Sequence, residues 1–401
     1  VPGASPTHPF FRPAWYFVTH DSTGLTTDAA ARIKVLYDRP ADEIPRFTMA
    51  TFLGHDVAQH HFGTASGQLE KELAIEDREV GEIVELMKKA GIWDKTYIVL
   101  ASDHGQHRTG TFVSIPKLLR DAGLRPRGFY AAKVNTFASQ IAITSANIYL
   151  NKGNDWRNPV SLDDLRSFPS ADGERIDLVG TIAENPSIEF ALVPEPPDMV
   201  HVLASGGRHG MLTRRSIEGV DYVSYAVVKA APRGTPALAS LADSERQGPD
   251  PLGYGEIPAL ASWVNDGRFH AADDWGHATA DSRYPDAPMQ LLQLFDGDRA
   301  GDLVVTAREG YHFRLRGYES SHGGMGREDM VVPLVISGPD VARGVEIPFA
   351  RTADVYPTLR RIFGMAVNPS RIDGRPLDEL LPWLPDSQRV PARTALTAER
   401  A

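Results

Sequence analysis

Residues 96–107 read TYIVLASDHGQH, and this stretch decides the fold. Its first half is apolar and β-branched, the composition of a buried strand. Asp103, His104 and Gly105 follow at once. Such a run reads as a strand that delivers polar side chains to a sheet edge, where open α/β sheets bind their ligands. Upstream, FTMATFLG (47–54) reads as a second strand with Asp56 just past its end. Between the two, Ser66 to Lys89 reads as a long amphipathic helix, with Leu69, Leu73, Ile75, Val80, Ile83, Val84 and Met87 at helical spacing. Gly91 ends that helix. Strand, helix and strand in this order predict parallel pairing through a right-handed crossover.

Five side chains of metal-binding type lie at the ends of these runs. Asp56 and His60 occur in GHDVAQHHFG, Asp103 and His104 in SDHG, and His322 in SSHGGMGREDMVVPLVISGP. Carboxylate and imidazole are what a divalent ion such as zinc takes from a protein. Asp56 and His60 are four residues apart and share a face if the chain turns helical after the strand. Consecutive strand residues point to opposite faces, so Asp103 and His104 can act together only where the strand has ended. Gly105 allows that turn and a close approach of backbone to the ions. His61 is a lesser candidate that supports the ligands from behind, and His55 is structural. His107 lies near enough to touch a substrate. His209, in SGGRHGMLTRR, reads as part of a solvated basic hairpin that could meet a phosphate. Asp286 reads as a helix cap, and Arg351, Asp354 and Pro357 as organisers of the last core helix.

Together these motifs resemble the alkaline phosphatase superfamily, nearest its type I phosphodiesterase and nucleotide pyrophosphatase branch. The resemblance rests on Asp56-x-x-x-His60-x-x-Gly63, Ser102-Asp103-His104-Gly105 and His322-Gly323-Gly324, then Val332-Pro333 and Gly338-Pro339. Arg351-Thr352-Ala353-Asp354-Val355-Tyr356-Pro357-Thr358 and Asp373-Gly374-Arg375-Pro376-Leu377 complete it. It covers residues 15–120 and 285–380 and is thinner between them. It implies an α/β fold with a mostly parallel central sheet flanked by helices, and two divalent cations, zinc or alternatively manganese. Asp56, His60 and His322 would hold one ion, and Asp103 and His104 the other. The implied activity is hydrolysis of a small phosphate ester, monoester or diester. Sulfatases and phosphonate hydrolases of the same superfamily are the rival enzymes, and a degenerate metal-binding domain is the non-enzymatic alternative.

The family also places a further Asp and a Thr or Ser nucleophile upstream of the Asp56 motif. No apolar strand ending in Asp before a Thr- or Ser-led helix stands in the 55 residues ahead of it. The chain therefore reads as the C-terminal part of a longer protein, with a weakly held second ion and little turnover by itself. Its partner would be the upstream part of the same protein.

The domain reading is 1–124 for the first part of the core, 125–284 for an inserted α+β cap that shapes substrate choice, and 285–401 for the rest of the core. Within the middle third, 190–193, 200–204 and 222–228 read as strands, and APRGTPALASLADSERQGPDPLGYG (231–255) as a surface loop. Helix 288–296, strand 302–307, a hairpin-like 311–316, strand 331–336 and helix 353–363 follow. The net charge of −10 excludes a nucleic-acid scanning surface. It does not exclude a phosphate ester, because bound cations dominate the local field. No stretch is apolar over the roughly 20 residues that a spanning helix needs. The absence of cysteine removes disulfides and thiolate ligands, and a periplasmic or secreted location is the expectation.

Overall fold

The computed structural model describes residues 22–126, 134–153, 155–229, 248–314, 318–368 and 371–385. Most of the expected surface loop, 231–247, lies outside the described residues, as do 315 and 316 of the expected hairpin.

The chain is a mixed α/β protein built on one large sheet. The order across it is His270–Ala271, Val220–Val228, Arg208–Ile217, Met199–Ala204, Ile188–Glu195, Leu303–Ala307, Ser145–Leu150 and Thr136–Ala142. Every neighbouring pair runs antiparallel. The expected mostly parallel sheet is therefore corrected. The reason lies in the turns: Glu218 and Gly219 both have positive φ, at 53° and 79°, and close a two-residue hairpin between Ile217 and Val220. Such a turn matches the twist of two antiparallel strands and leaves no room for a crossover.

The solid apolar runs of the central strands would ordinarily mark a parallel sheet buried on both faces. Here an antiparallel sheet is buried on both faces. Ile188, Ala191, Val193, Leu303 and Val305 face one core, packed with Ile115, Leu119, Leu165, Leu178 and Ile182 of three helices. Phe190, Leu192 and Val304 face the other, with Tyr254, Trp275, Leu291 and Leu292. The strand Leu303–Ala307 joins the sheet between strands of the middle third, so both cores draw on residues from either side of position 285.

The first third packs as helices. Ser22–Tyr37 lies against Gly67–Lys89, and Tyr37, Ile83 and Met87 form their small core. Ser66 caps the long helix by accepting from the Leu69 N–H. At its other end Gly91 has φ +68°; its N–H donates to Lys88 O and that of Ile92 to Met87 O. This is the left-handed stop expected from the glycine. The predicted strand 47–54 is not one. Residues 47–53 are irregular, and a helix begins at Gly54. The predicted strand 96–101 forms over Ile98–Ala101, but it pairs antiparallel with Leu334–Ser337 as a two-stranded ribbon. Its crossover is corrected with it.

Arg351 stands just ahead of the last helix, Val355–Ile362, where its backbone N–H donates to Asp354, and its side chain joins a buried ion network. Its Nε and Nη2 donate to the two carboxylate oxygens of Asp286 at 2.7 Å each, and Nη1 donates to Asp273 at 2.8 Å. Asp286 stands at the N-cap position of the helix Ala287–Gln293, as expected, but its side chain does not cap it. Its φ is 55° and its side chain makes no capping bond, because the carboxylate faces Arg351 instead.

Candidate metal centre

The helix Gly54–Phe62 brings Asp56 and His60 to one face, one turn apart. His60 Nε2 lies 3.4 Å from Asp56 Oδ1. His322 reaches the same point from the loop after the short strand Ser320–Ser321. One ligand atom from each of Asp56, His60 and His322 lies within 4.8 Å of the others. Two distant segments converge here because Ser320–Ser321 pairs with the strand His107–Phe112, and the Glu319 N–H donates to His60 O at 2.8 Å.

The surrounding bonds aim these donors. His60 Nδ1 donates to Ser320 O at 3.0 Å, which fixes the ring orientation and leaves Nε2 facing Asp56. Gln106 Nε2 donates to Asp56 Oδ1 at 2.5 Å, and Gln106 Oε1 accepts from Ser320 Oγ at 2.7 Å. Thr144 holds the His322 carbonyl with its N–H at 3.2 Å and its hydroxyl at 2.7 Å. Burial, and then the neighbouring His104, push the His322 pKa down to about 4. A neutral imidazole is the form that binds a metal. The donor chemistry and the fixed ring orientation therefore fit a divalent ion such as zinc.

His104 belongs to this cluster through its ring, which stacks on His322 at 3.5 Å between centroids and 10° between planes. Asp103 stands apart. Its side chain is 80% exposed, 3.6 Å from His104 Nε2, and it accepts its neighbour's backbone N–H at 3.1 Å. The strand does end before this pair, at Ala101, and Ser102 Oγ donates to His104 O across the turn. Gly105 also admits a neighbouring backbone, since a Cβ there would lie 2.0 Å from Glu328 O.

The remaining histidines separate cleanly. His61 stacks on Tyr318 at 5.6 Å, and the same Tyr318 ring meets His60 edge-on at 4.8 Å. His55 Nε2 accepts from Gln59 Nε2 at 2.9 Å, in keeping with a structural part. His107 is buried against Asp329, its Nδ1 2.7 Å from Oδ1. His209 corrects the solvated-hairpin reading: it is buried in the strand Arg208–Ile217, with Nε2 3.0 Å from His201 Nδ1. Burial, then His201 and Arg166, hold its pKa well below the ordinary value. Gln106, Ser320 and Asp329 were missed by sequence reasoning. Their only signal was adjacency to the ligand motifs.

Residues 1–168 match the sequence model of the type I phosphodiesterase / nucleotide pyrophosphatase family. The chain resembles this branch, as its motifs indicated. The phosphodiesterase match contains Asp56, His60, Asp103 and His104 and stops well short of His322. No curated protein sequence shows significant similarity to the chain. Among solved structures, human ectonucleotide pyrophosphatase / phosphodiesterase 5 is similar at 13% identity and TM-score 0.42, over 89% of this chain and 64% of that one. Its murine counterpart, in an inactive form with AMP, gives 13% and 0.38, over 81% and 56%. The alkaline phosphatase PafA gives 13% and 0.42, over 82% and 46%. The chain thus spans less than two thirds of the length of each of these phosphodiesterases and phosphatases.

Proposed function

We propose that this chain carries the metal-binding half of a phosphate ester hydrolase, with zinc as the preferred ion and manganese as the alternative. The observation that carries the reading is the convergence of Asp56, His60 and His322 within 4.8 Å. The phosphodiesterase match over residues 1–168 gives the class of reaction. Asp56, His60 and His322 hold one ion, with an open position for an oxygen of substrate or water. Asp103 and His104 are the chain's contribution to a second. Bound ions in such a pair polarise the phosphoryl oxygens and lower the pKa of a coordinated hydroxyl.

What the protein itself does is set the donors. Ser320 O holds the His60 ring with its Nε2 toward Asp56, and Gln106 orients the Asp56 carboxylate. The stacked His104 and His322 rings keep the two half-sites adjacent. The substrate is a small phosphate ester, and residues 125–284 shape its choice. The location of the protein is periplasmic or extracellular. No described helix is long and apolar enough to cross a membrane.

The exposure of Asp103 favours a second reading, a domain that binds one ion at Asp56, His60 and His322 without catalysis. Metal analysis of the intact parent protein, with hydrolysis of nitrophenyl phosphate against its bis ester, separates the two. The hydrolase reading expects two ions and turnover, both reduced by Asp56→Ala and by His322→Ala. Unchanged metal content and rate in both variants would remove the metal centre altogether.

A further inference from the structure

Asp329 is buried in the short helix Arg327–Met330 and serves three partners at once. Its backbone carbonyl accepts from the Gly105 N–H at 2.7 Å. Its Oδ1 accepts from His107 Nδ1 at 2.7 Å, and its Oδ2 from the Gly324 N–H at 2.6 Å. Gly105 directly follows His104, and Gly324 stands two residues after His322. His107 pairs across the ladder with Ser321, the residue before His322. One carboxylate thus grips both segments that present the stacked imidazoles.

We propose that Asp329 and His107 form a positioning clamp that sets how His104 and His322 face each other, and hence how tightly the centre holds its ions. The inference rests on the metal reading above. Geometry supports it at each bond. Gly324 leaves the carboxylate its place, since a Cβ there would come within 2.8 Å of Asp329 Oδ2. Gly323, at φ +102°, turns the loop where a Cβ would lie 2.3 Å from that of Ala142. The loop therefore has no slack of its own on the sheet side, and the clamp holds it at Gly324. An ionised carboxylate accepts from both His107 and Gly324. An amide in its place must turn its NH2 toward one of those two donors and leave that bond unmade.

The test measures zinc affinity by competition with a chromophoric chelator, and the visible spectrum of the cobalt(II) form, on the whole chain. The parent, His322→Ala, Asp329→Asn, His107→Leu and His107→Asn are compared, with metal-free melting as the control for folding. Asn places an N–H where His107 has Nδ1, while Leu supplies none. The clamp predicts zinc affinity lowered about 10- to 100-fold in Asp329→Asn and His107→Leu, within the range for groups that orient ligands. It also predicts an altered cobalt spectrum in both, and recovery of the parent spectrum and affinity in His107→Asn. Parent-like zinc affinity and spectrum in His107→Leu, with His322→Ala impaired, would overturn the clamp and leave the metal centre standing. A parent that binds no zinc or cobalt would overturn both. Should Asp329→Asn not fold, the pair at His107 decides the matter alone.

Discussion

Replacing Gly105 by Ala is the sharpest test of how the two ligand-bearing segments meet. The new Cβ would stand 2.0 Å from Glu328 O and 3.1 Å from its carbonyl carbon. Ordinary contact between such atoms is near 3.5 Å, so one backbone segment must shift by about 1 Å or more. Neither can give way as a flexible side chain could, because both are main chain. The shift stretches or breaks the Gly105 N–H to Asp329 O bond, now 2.7 Å. A buried backbone group left without its partner costs about 1–3 kcal/mol, and overpacking strain adds about 1–3 kcal/mol. A total of about 2–6 kcal/mol is expected, which lowers the melting temperature by roughly 2–7 °C in a chain of this size. Circular dichroism melting of the metal-free variant reads this directly, and zinc competition reads its effect on His104. If Gly105→Ala melted within 1 °C of the parent and bound zinc equally well, the packing of the Asp-His-Gly turn on Glu328 would be wrong.

Other perturbations have equally definite outcomes. Glu76 has its pKa pushed up to about 7, by burial first and by Glu72 second. A carboxyl raised in the folded state contributes stability fully present below its unfolded value, near 4.5, and lost as pH rises through 7. Glu76→Gln should therefore raise the melting temperature at pH 8 by a few degrees and leave it nearly unchanged at pH 4.5; equal effects at both would contradict this. Arg351→Met leaves Asp286 and Asp273 buried without their partner, and urea unfolding should show a loss of about 3–5 kcal/mol. Loss of less than 1 kcal/mol would mean that the network is not formed. Ser320→Ala removes the hydroxyl that binds Gln106 and Gln59 O but keeps the carbonyl that orients His60. Zinc affinity should fall less than tenfold, whereas His60→Ala should cost at least that; titration calorimetry compares them.

Much of the local structure was legible because it depends on near neighbours in sequence. The helix Gly67–Lys89 announced itself by apolar spacing, a Ser66 cap and Gly91, and all three are as read. Strands 188–195, 199–204 and 220–228 were located to within a few residues by their apolar, β-branched runs. The segment 47–54 failed because an apolar run of that length looks alike as strand or loop until something pairs with it, and nothing described does. Parallel pairing was inferred from element order and from the family resemblance, and the hairpin turn at Glu218–Gly219 was not part of that reading.

The sequence by itself determined which residue types stand ready for a metal, and in what order: Asp56 and His60, Asp103 and His104, then His322. It did so because ligand chemistry is a property of side chains and their spacing. Only the tertiary structure decided that Asp56, His60 and His322 meet while Asp103 faces solvent, and that the large sheet is antiparallel. Those outcomes depend on which backbones pair. The ladder between His107–Phe112 and Ser320–Ser321, and the contact of Gly105 with Glu328, join residues more than 200 positions apart. No local pattern encodes such a pairing; it follows from packing the whole chain at once.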